Sequence, residues 1–311
     1  MKVLVTCPPM LKSINEFKSI FESKGIELVC PDVVQVMSEQ ELIDLVPTVD
    51  GWIIGDDPAT QRVFAAGKAG KLKAAVKWGV GVDNVDFTAA ATLKIPISNT
   101  PAMFGEEVSD VALAYLLGLA RHTYEIDRKV RAGIWHKPPG ISLQGRKAAL
   151  IGFGSIGRAT AHKLTAFGLE VFVFDPLASP SEEDKNKFSF STLEDVVEKA
   201  DFLILTCSLT ATNRKMINEN ILNMLKKGAF VINVSRGPLM DEEALIRALE
   251  SGQIGGAGLD VFESEPLPPQ HPLRKFENTI FGSHNGSNSI DAVRRASLKA
   301  IDILLTYLDK K

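Results

Sequence analysis

The sequence predicts an α/β protein of two doubly wound parallel-sheet domains, one inserted in the other. Three observations predict it. Short apolar runs alternate with stretches of helical period over the first hundred residues, and again from Lys147 onward. A glycine-rich turn, Gly152-Phe-Gly-Ser-Ile-Gly157, stands between an apolar run and a helical pattern. The last helical stretch, Ser289 to Leu308, follows after the second set of strands is complete and has no sheet of its own to extend. A chain of 311 residues, 45% apolar and 23% charged, suits about two globular domains with large cores.

The first domain is read from five apolar runs: Val3–Thr6, Ile26–Cys30, Trp52–Ile54, Ala74–Trp78 and Ile95–Ser98. Helical patterns lie between them. One spans Leu11 to Ser23 and stops at Gly25; another spans Ser38 to Val46, with Ser38 and Glu41 in capping-box spacing. Such alternation implies a flavodoxin-like parallel sheet covered by helices on both faces. Residues 99–145 make a connection. A long helix runs from about Phe104 towards Arg131, dense in Ala, Leu and Val in its first half. A helix apolar over so much of its surface is covered on several sides, by a second subunit or by its own.

From Lys147 the second domain reads as six strands: Lys147–Ile151, Leu169–Phe174, Phe202–Thr206, Ala229–Val234, Ala257–Val261 and Thr279–Phe281. A helix from Asp241 to Glu250 carries an acid-rich first turn that suits its dipole, and Gly252 ends it. The domains are therefore expected at 1–98 with 288–311, and at 99–287. Two crossings join them and could act as a hinge.

The glycine turn has a physical reading. Gly152 permits the tight turn out of the strand, Gly154 lets backbone approach a pyrophosphate, and Gly157 lets the helix pack on the strand. The helix N-terminus offers free N–H groups to the phosphates. Asp175, ending the next strand, can accept hydrogen bonds from ribose hydroxyls and would repel a 2′-phosphate. The reading is a Rossmann domain binding NAD rather than NADP.

Ligands of open α/β sheets lie beyond the carboxyl ends of the strands. Those tips carry Ser235-Arg236-Gly237, then Asp260-Val-Phe-Glu263-Ser-Glu265-Pro266, then Ser283-His284-Asn-Gly286-Ser287. Arginine grips a carboxylate bidentately. Histidine is the acid suited to neutral pH, and a carboxylate on its other nitrogen would hold the ring. Hydride transfer to a 2-oxo acid needs that set. Glu263 and Glu265 compete for the partner role. His122, His136, His162 and His271 fall on helix surfaces or loops and are read as having no chemical role.

These motifs, with Gly79-Val-Gly-Val-Asp-Asn-Val85, resemble the NAD-dependent D-2-hydroxyacid dehydrogenases over essentially the whole chain. The resemblance implies Arg236 as substrate clamp, His284 as general acid/base and Glu265 as its partner. It implies Val80 and Gly81 backbone at the substrate carboxylate, and Ser155 and Ile156 at the pyrophosphate. It places Asp175 at the ribose, Cys207 beside the adenosine, and Val234, Ser235 and Asp260 by the nicotinamide, with Gly286 in the cofactor set. Lys77 is either a solvated strand-end lysine or a positive charge near the substrate anion.

Two departures bear on the substrate. Asp56 and Asp57 stand in a strand-end loop where phosphoglycerate dehydrogenases of the family usually carry an arginine, and two acids there would repel a phosphate. Thr206-Cys207-Ser208 replaces a common His-x-Pro, in a form similar to glyoxylate and hydroxypyruvate reductases. The expectation is a reductase of that kind; D-3-phosphoglycerate dehydrogenase and an NAD(H)-sensing corepressor-like protein are the alternatives. The chain ends soon after its last helix, so feedback through a C-terminal regulatory domain is not expected.

Further expectations come from composition. Net charge is −3 with no basic stripe, so no nucleic-acid partner is expected. The longest apolar stretch, Val111 to Ala120, is too short to span a bilayer. The N-terminal apolar run is too short for a signal peptide. Cys7, Cys30 and Cys207 lie in apolar runs without metal-ligand spacing. They are read as buried, reduced thiols of a cytoplasmic protein that binds no metal. A homodimer through the helix around 104–131 is expected.

Overall fold

The computed structural model describes residues 1–309. The chain divides into two compact units, one formed by Met1–Met103 and the segment from Asn288 onward, the other by Phe104–Ser287.

The first unit holds five parallel strands: β1 (Lys2–Val5), β2 (Glu27–Val29), β3 (Gly51–Ile54), β4 (Ala74–Lys77) and β5 (Ile97–Asn99). Their order is β2-β1-β3-β4-β5, the flavodoxin-like arrangement. β3 and β4 are buried along their whole length, which is why β3 reads as a continuous apolar run and β4 as one broken only by Lys77, rather than as alternating ones. One face packs on Leu42, Val46, Val63, Phe64 and Leu72 through Trp52, Ile54 and Ala75. The helix Ile290–Asp309 covers the other face at β3 and β4. A Cβ on Gly51 would stand 3.2 Å from Leu304 Cδ2, and Trp78 Nε1 donates to Ser297 Oγ at 3.1 Å.

The helix Glu39–Leu45 has its capping box: Glu41 N donates to Ser38 Oγ, and Ser38 N to Glu41 Oε2 at 2.8 Å. The single helix expected from Leu11 to Ser23 is corrected. The chain forms Pro8–Lys12, a 3-10 turn Ile14–Glu16, and Lys18–Glu22. The break falls at Ser13, whose hydroxyl bonds back to Pro9 O at 3.1 Å while its backbone leaves the helical region. Serine offers the backbone that local alternative.

The second unit has seven parallel strands rather than six: β6 (Lys147–Ile151), β7 (Glu170–Phe174), β8 (Ser189–Phe190), β9 (Phe202–Leu205), β10 (Ala229–Asn233), β11 (Ile254–Leu259) and β12 (Thr279–Phe281). Their order is β12-β11-β10-β9-β6-β7-β8. The classic six-strand order is therefore completed by β8 at the edge, and β12 is added outside it. β8 has only two residues and no apolar run to announce it. β11 begins at Ile254, ahead of the expected Ala257; Gly255 and Gly256 carry little strand propensity, so the pattern does not announce this part of the strand. Their smallness serves packing instead: a Cβ on Gly256 would stand 2.6 Å from Asn278 O, and one on Gly258 2.6 Å from Tyr115 Cβ.

The continuous helix expected from 104 to 131 is also corrected. It ends at Arg121, His122 turns left-handed at φ +55°, and a second helix runs Thr123–Arg131. The turn folds Tyr124 over Gly118, where a Cβ would stand 2.5 Å from its ring. The apolar face of Gly105–Arg121 packs on the helix Ser155–Ala166 and on β10, β11 and β12 of the same unit. Cys7 is buried and Cys207 half-buried, but Cys30 is exposed, against the reading that placed all three inside. Among the described residues no helix is long and apolar enough to cross a membrane, and no group of three or more His, Cys, Asp or Glu side chains is arranged to hold a metal ion.

Candidate active site

The glycine turn joins β6 to the helix Ser155–Ala166. Gly152 sits at φ +100° against Cys207, and a Cβ on Gly157 would overlap the Gly152 carbonyl oxygen. Those two glycines are demanded by protein packing. Gly154 is different: a Cβ there would meet nothing within 4 Å. It is also the N-cap of the helix, and no side chain caps it. The first-turn N–H groups from Ser155 and Ile156 onward thus face an open approach, as a pyrophosphate requires. Asp175 follows β7 directly, and its carboxylate accepts from Phe153 N at 2.7 Å and Leu177 N at 2.9 Å. Each oxygen keeps a further lone pair for a ribose hydroxyl. These residues fit NAD. Burial pushes the Cys207 thiol up to about 11, so it stands there as a neutral thiol.

At the tip of β10, Asn233 is fully buried and folds the chain after it. Its Oδ1 accepts from Ser235 N at 3.0 Å and its Nδ2 donates to Arg236 O at 2.9 Å. Ser235 Oγ bonds to Cys207 O. This clamp fixes Val234, Ser235 and Arg236; the arginine is half-buried and its Nη1 donates to Ser235 O at 2.8 Å. Gly237 lies so close to Phe262 that a Cβ would overlap that residue's carbonyl carbon. The arginine loop therefore rests on the loop that follows β11.

That loop carries both acids. Glu265 Oε1 accepts from Phe262 N at 2.9 Å, and Glu265 Oε2 lies 2.7 Å from His284 Nδ1. Glu263 points elsewhere, accepting from Glu242 N at 3.3 Å. Glu265 thus stands against the histidine and Glu263 does not. His284 follows β12 with φ +54°, a conformation uncommon for a side chain of its size, and its N–H donates to Asp260 O at 2.7 Å. Asp260 is 2% exposed. Its carboxylate accepts from Gly286 N at 2.8 Å, Asn285 N at 3.2 Å and Tyr115 OH at 3.1 Å.

Two residues of this arrangement escaped the sequence reading. Tyr115 interrupts an Ala/Leu/Val run with a hydroxyl, the one hint available. Its burial raises the phenol, so the hydroxyl keeps its proton and donates. Glu242 shows in the sequence only as a complement to its helix dipole. It is buried, and its Oε1 accepts from Glu263 N at 2.6 Å while Oε2 lies 3.2 Å from His271 Nε2. Burial pushes this carboxyl up. His271, read as having no role, joins this supporting group; His122 and His136 both meet Glu125, and His162 packs its ring on Phe188.

In the first unit the candidate substrate loop follows β4. Gly79 sits at φ +124°, and its N–H donates to Thr100 Oγ1 at 2.8 Å. Asn99 Nδ2 donates to the carbonyls of Gly79 and Val80, both at 3.3 Å. Carbonyl and N–H point oppositely across a trans peptide, so the N–H groups of Val80 and Gly81 face away from Asn99. Lys77 is 2% exposed, which removes the reading of a solvated lysine. Its Nζ lies 3.0 Å from Asp56 Oδ1. Asp57 is fully buried: its carboxylate accepts from Met37 N, Gly55 N and Thr6 Oγ1. The expectation of two acids presented to a substrate is corrected on that point, since Asp57 is turned into the fold.

The family model for the D-isomer specific 2-hydroxyacid dehydrogenase, NAD binding domain, matches residues 113–286. The chain is 35% identical over 277 residues to a glyoxylate reductase of Korarchaeum cryptofilum, covering 87% of this chain and 83% of that one. It is 32% identical over 277 residues to a hydroxypyruvate reductase of Thermotoga maritima, covering 88% and 89%. Among solved structures, the TT0316 protein from Thermus thermophilus superposes with a TM-score of 0.88 at 32% identity, covering 100% of this chain and 98% of that one.

Proposed function

The chain belongs to the D-isomer specific 2-hydroxyacid dehydrogenase family of NAD-dependent oxidoreductases, and from that premise we propose that it is a reductase of small 2-oxo acids of the glyoxylate and hydroxypyruvate kind. The observation that carries the chemistry is the His284–Glu265 pair, at 2.7 Å, on the strand-end edge that also bears the glycine turn. Bound nicotinamide supplies the hydride in reduction and accepts it in oxidation. Arg236 binds the substrate carboxylate and polarises the C2 carbonyl. His284 gives its proton to the carbonyl oxygen, or takes it back in the reverse direction. Glu265 holds the imidazole and balances its positive charge. The likeness of Gly79–Val85 to the family's substrate loop supports the first unit as the substrate domain. The names of the relatives support glyoxylate or hydroxypyruvate as substrate.

The protein works as a homodimer through the helices around 104–131. Tyr124, Val130, Ile134 and Trp135 are large apolar side chains exposed in and just after that stretch, which supports the reading. Gel filtration giving only the monomer mass removes it. A cytoplasmic setting suits three free cysteines. The test of function is NADH oxidation with glyoxylate, hydroxypyruvate and pyruvate, run beside NAD reduction by D-3-phosphoglycerate. Turnover of an unphosphorylated 2-oxo acid is the expected result. Activity with phosphoglycerate alone overturns the substrate assignment. Silence on all four with NADH still bound favours a nucleotide sensor.

A further inference from the structure

Neighbouring acids at the end of β3 have separate physical roles. Asp57 is fully buried and spends its carboxylate on two backbone N–H groups and the Thr6 hydroxyl. The Asp56 side chain is 38% exposed and meets Lys77. Lys77 is the reason for that contact. Its ammonium is buried, donates to Asp56 Oδ1 and to Trp78 O, both at 3.0 Å, and stands 3.5 Å from where a Cβ on Gly79 would lie. An ammonium taken out of water needs a counter-charge, and Asp56 supplies it. Asn84 ties the two loops together, donating to Gly55 O at 3.1 Å and Asp57 O at 2.6 Å. The cation therefore sits beside the Gly79–Gly81 loop already neutralised.

We propose that Asp56 sets the charge preference of the substrate by masking Lys77. The loop then accepts 2-oxo acids whose C3 substituent is uncharged, and gives an anionic substituent no counter-charge. Phosphate or carboxylate at C3 is disfavoured because the lysine is occupied, not because two acids repel it. This inference rests on the reading of Gly79–Gly81 as the substrate loop.

The test compares native protein with Asp56→Ser, using hydroxypyruvate, 3-phosphohydroxypyruvate and oxaloacetate. The kcat/KM of either anionic substrate relative to hydroxypyruvate rises about tenfold or more in the variant, since an unmasked charge a few ångströms away acts in a poorly screened site. Adding Lys77→Met cancels the rise. Asp56→Asn, which keeps an oxygen for the ammonium, serves if the serine variant does not fold. A relative kcat/KM that stays flat or falls in a folded variant overturns the proposal while the reductase reading stands. Native protein inactive on every 2-oxo acid overturns both.

Discussion

Replacing Glu265 by glutamine changes one atom's chemistry and almost no volume. Glu265 Oε1 accepts from Phe262 N at 2.9 Å and Oε2 faces His284 Nδ1 at 2.7 Å. In the variant the amide oxygen must stay with the Phe262 N–H, so the amide NH2 turns to the imidazole. Nδ1 can then only accept, and a doubly protonated ring would set donor against donor. Reduction needs that doubly protonated ring as acid. The two side chains are 23% and 22% exposed, so the contact is only partly screened. Loss of a charge-assisted hydrogen bond of this kind is worth ~1.5–3 kcal/mol. That converts to a fall of roughly ten- to 150-fold in kcat/KM. The assay is the initial rate of NADH oxidation with glyoxylate at neutral pH, with NADH affinity and melting temperature measured alongside. A folded Glu265→Gln variant that binds NADH normally and keeps kcat/KM within about threefold of the native value refutes the argument.

Other variants probe separate parts of the arrangement. His284→Ala lowers kcat by ~10²–10⁴ while NADH affinity survives; near-normal turnover would remove the histidine from the chemistry. Gly157→Ala drives a methyl into the Gly152 carbonyl and lowers the melting temperature sharply. Gly154→Ala has open space, so its melting temperature holds while NADH affinity falls about tenfold or more; the opposite pattern would mean the open side is not where the pyrophosphate approaches. Asp175→Ala narrows the preference for NAD over NADP by about tenfold, read as the ratio of kcat/KM values, and an unchanged ratio would place cofactor selection elsewhere. Glu242 predicts a pH effect. Burial raises its carboxyl above the unfolded value, so the folded chain binds that proton more tightly and ionisation costs stability as pH rises above the ordinary carboxylate range. The stability of Glu242→Gln relative to native protein, from urea unfolding, therefore increases through that window; a flat or shrinking difference contradicts it.

Much of this was written in local pattern. β3 and β4 are buried on both faces, so β3 appears as an unbroken apolar run and β4 as one broken only by Lys77, and the glycine turn keeps its spacing whatever surrounds it. What escaped were features decided by distant packing. β8 exists because its two residues pair with β7, and nothing within them says so. The glycines of β11 look like strand breakers until Tyr115 and Asn278 are seen against them. The break at His122 follows from Tyr124 needing the space above Gly118. In the site, the strand tips pointed to His284 and the family resemblance chose Glu265 over Glu263, but Tyr115 lies 145 residues from the Asp260 it serves. Asp56 and Asp57, adjacent and chemically alike, could not be told apart without knowing which one points inward.

The first unit is closed by a segment synthesised long after its sheet. Ala292, Val293, Ala296, Ala300, Ile301, Leu304 and Leu305 are the buried apolar positions of the helix that covers β3 and β4. On the ribosome, five strands emerge with that face bare, and the intervening chain takes about 10–40 s to appear at ~5–20 residues per second. The Phe104–Ser287 unit is continuous and can complete itself in that interval. The order of maturation is then fixed by topology: the sheet made first finishes last. Until then its bare apolar face is the surface most exposed to chaperones and to aggregation, and a truncation before Ile290 leaves it so permanently.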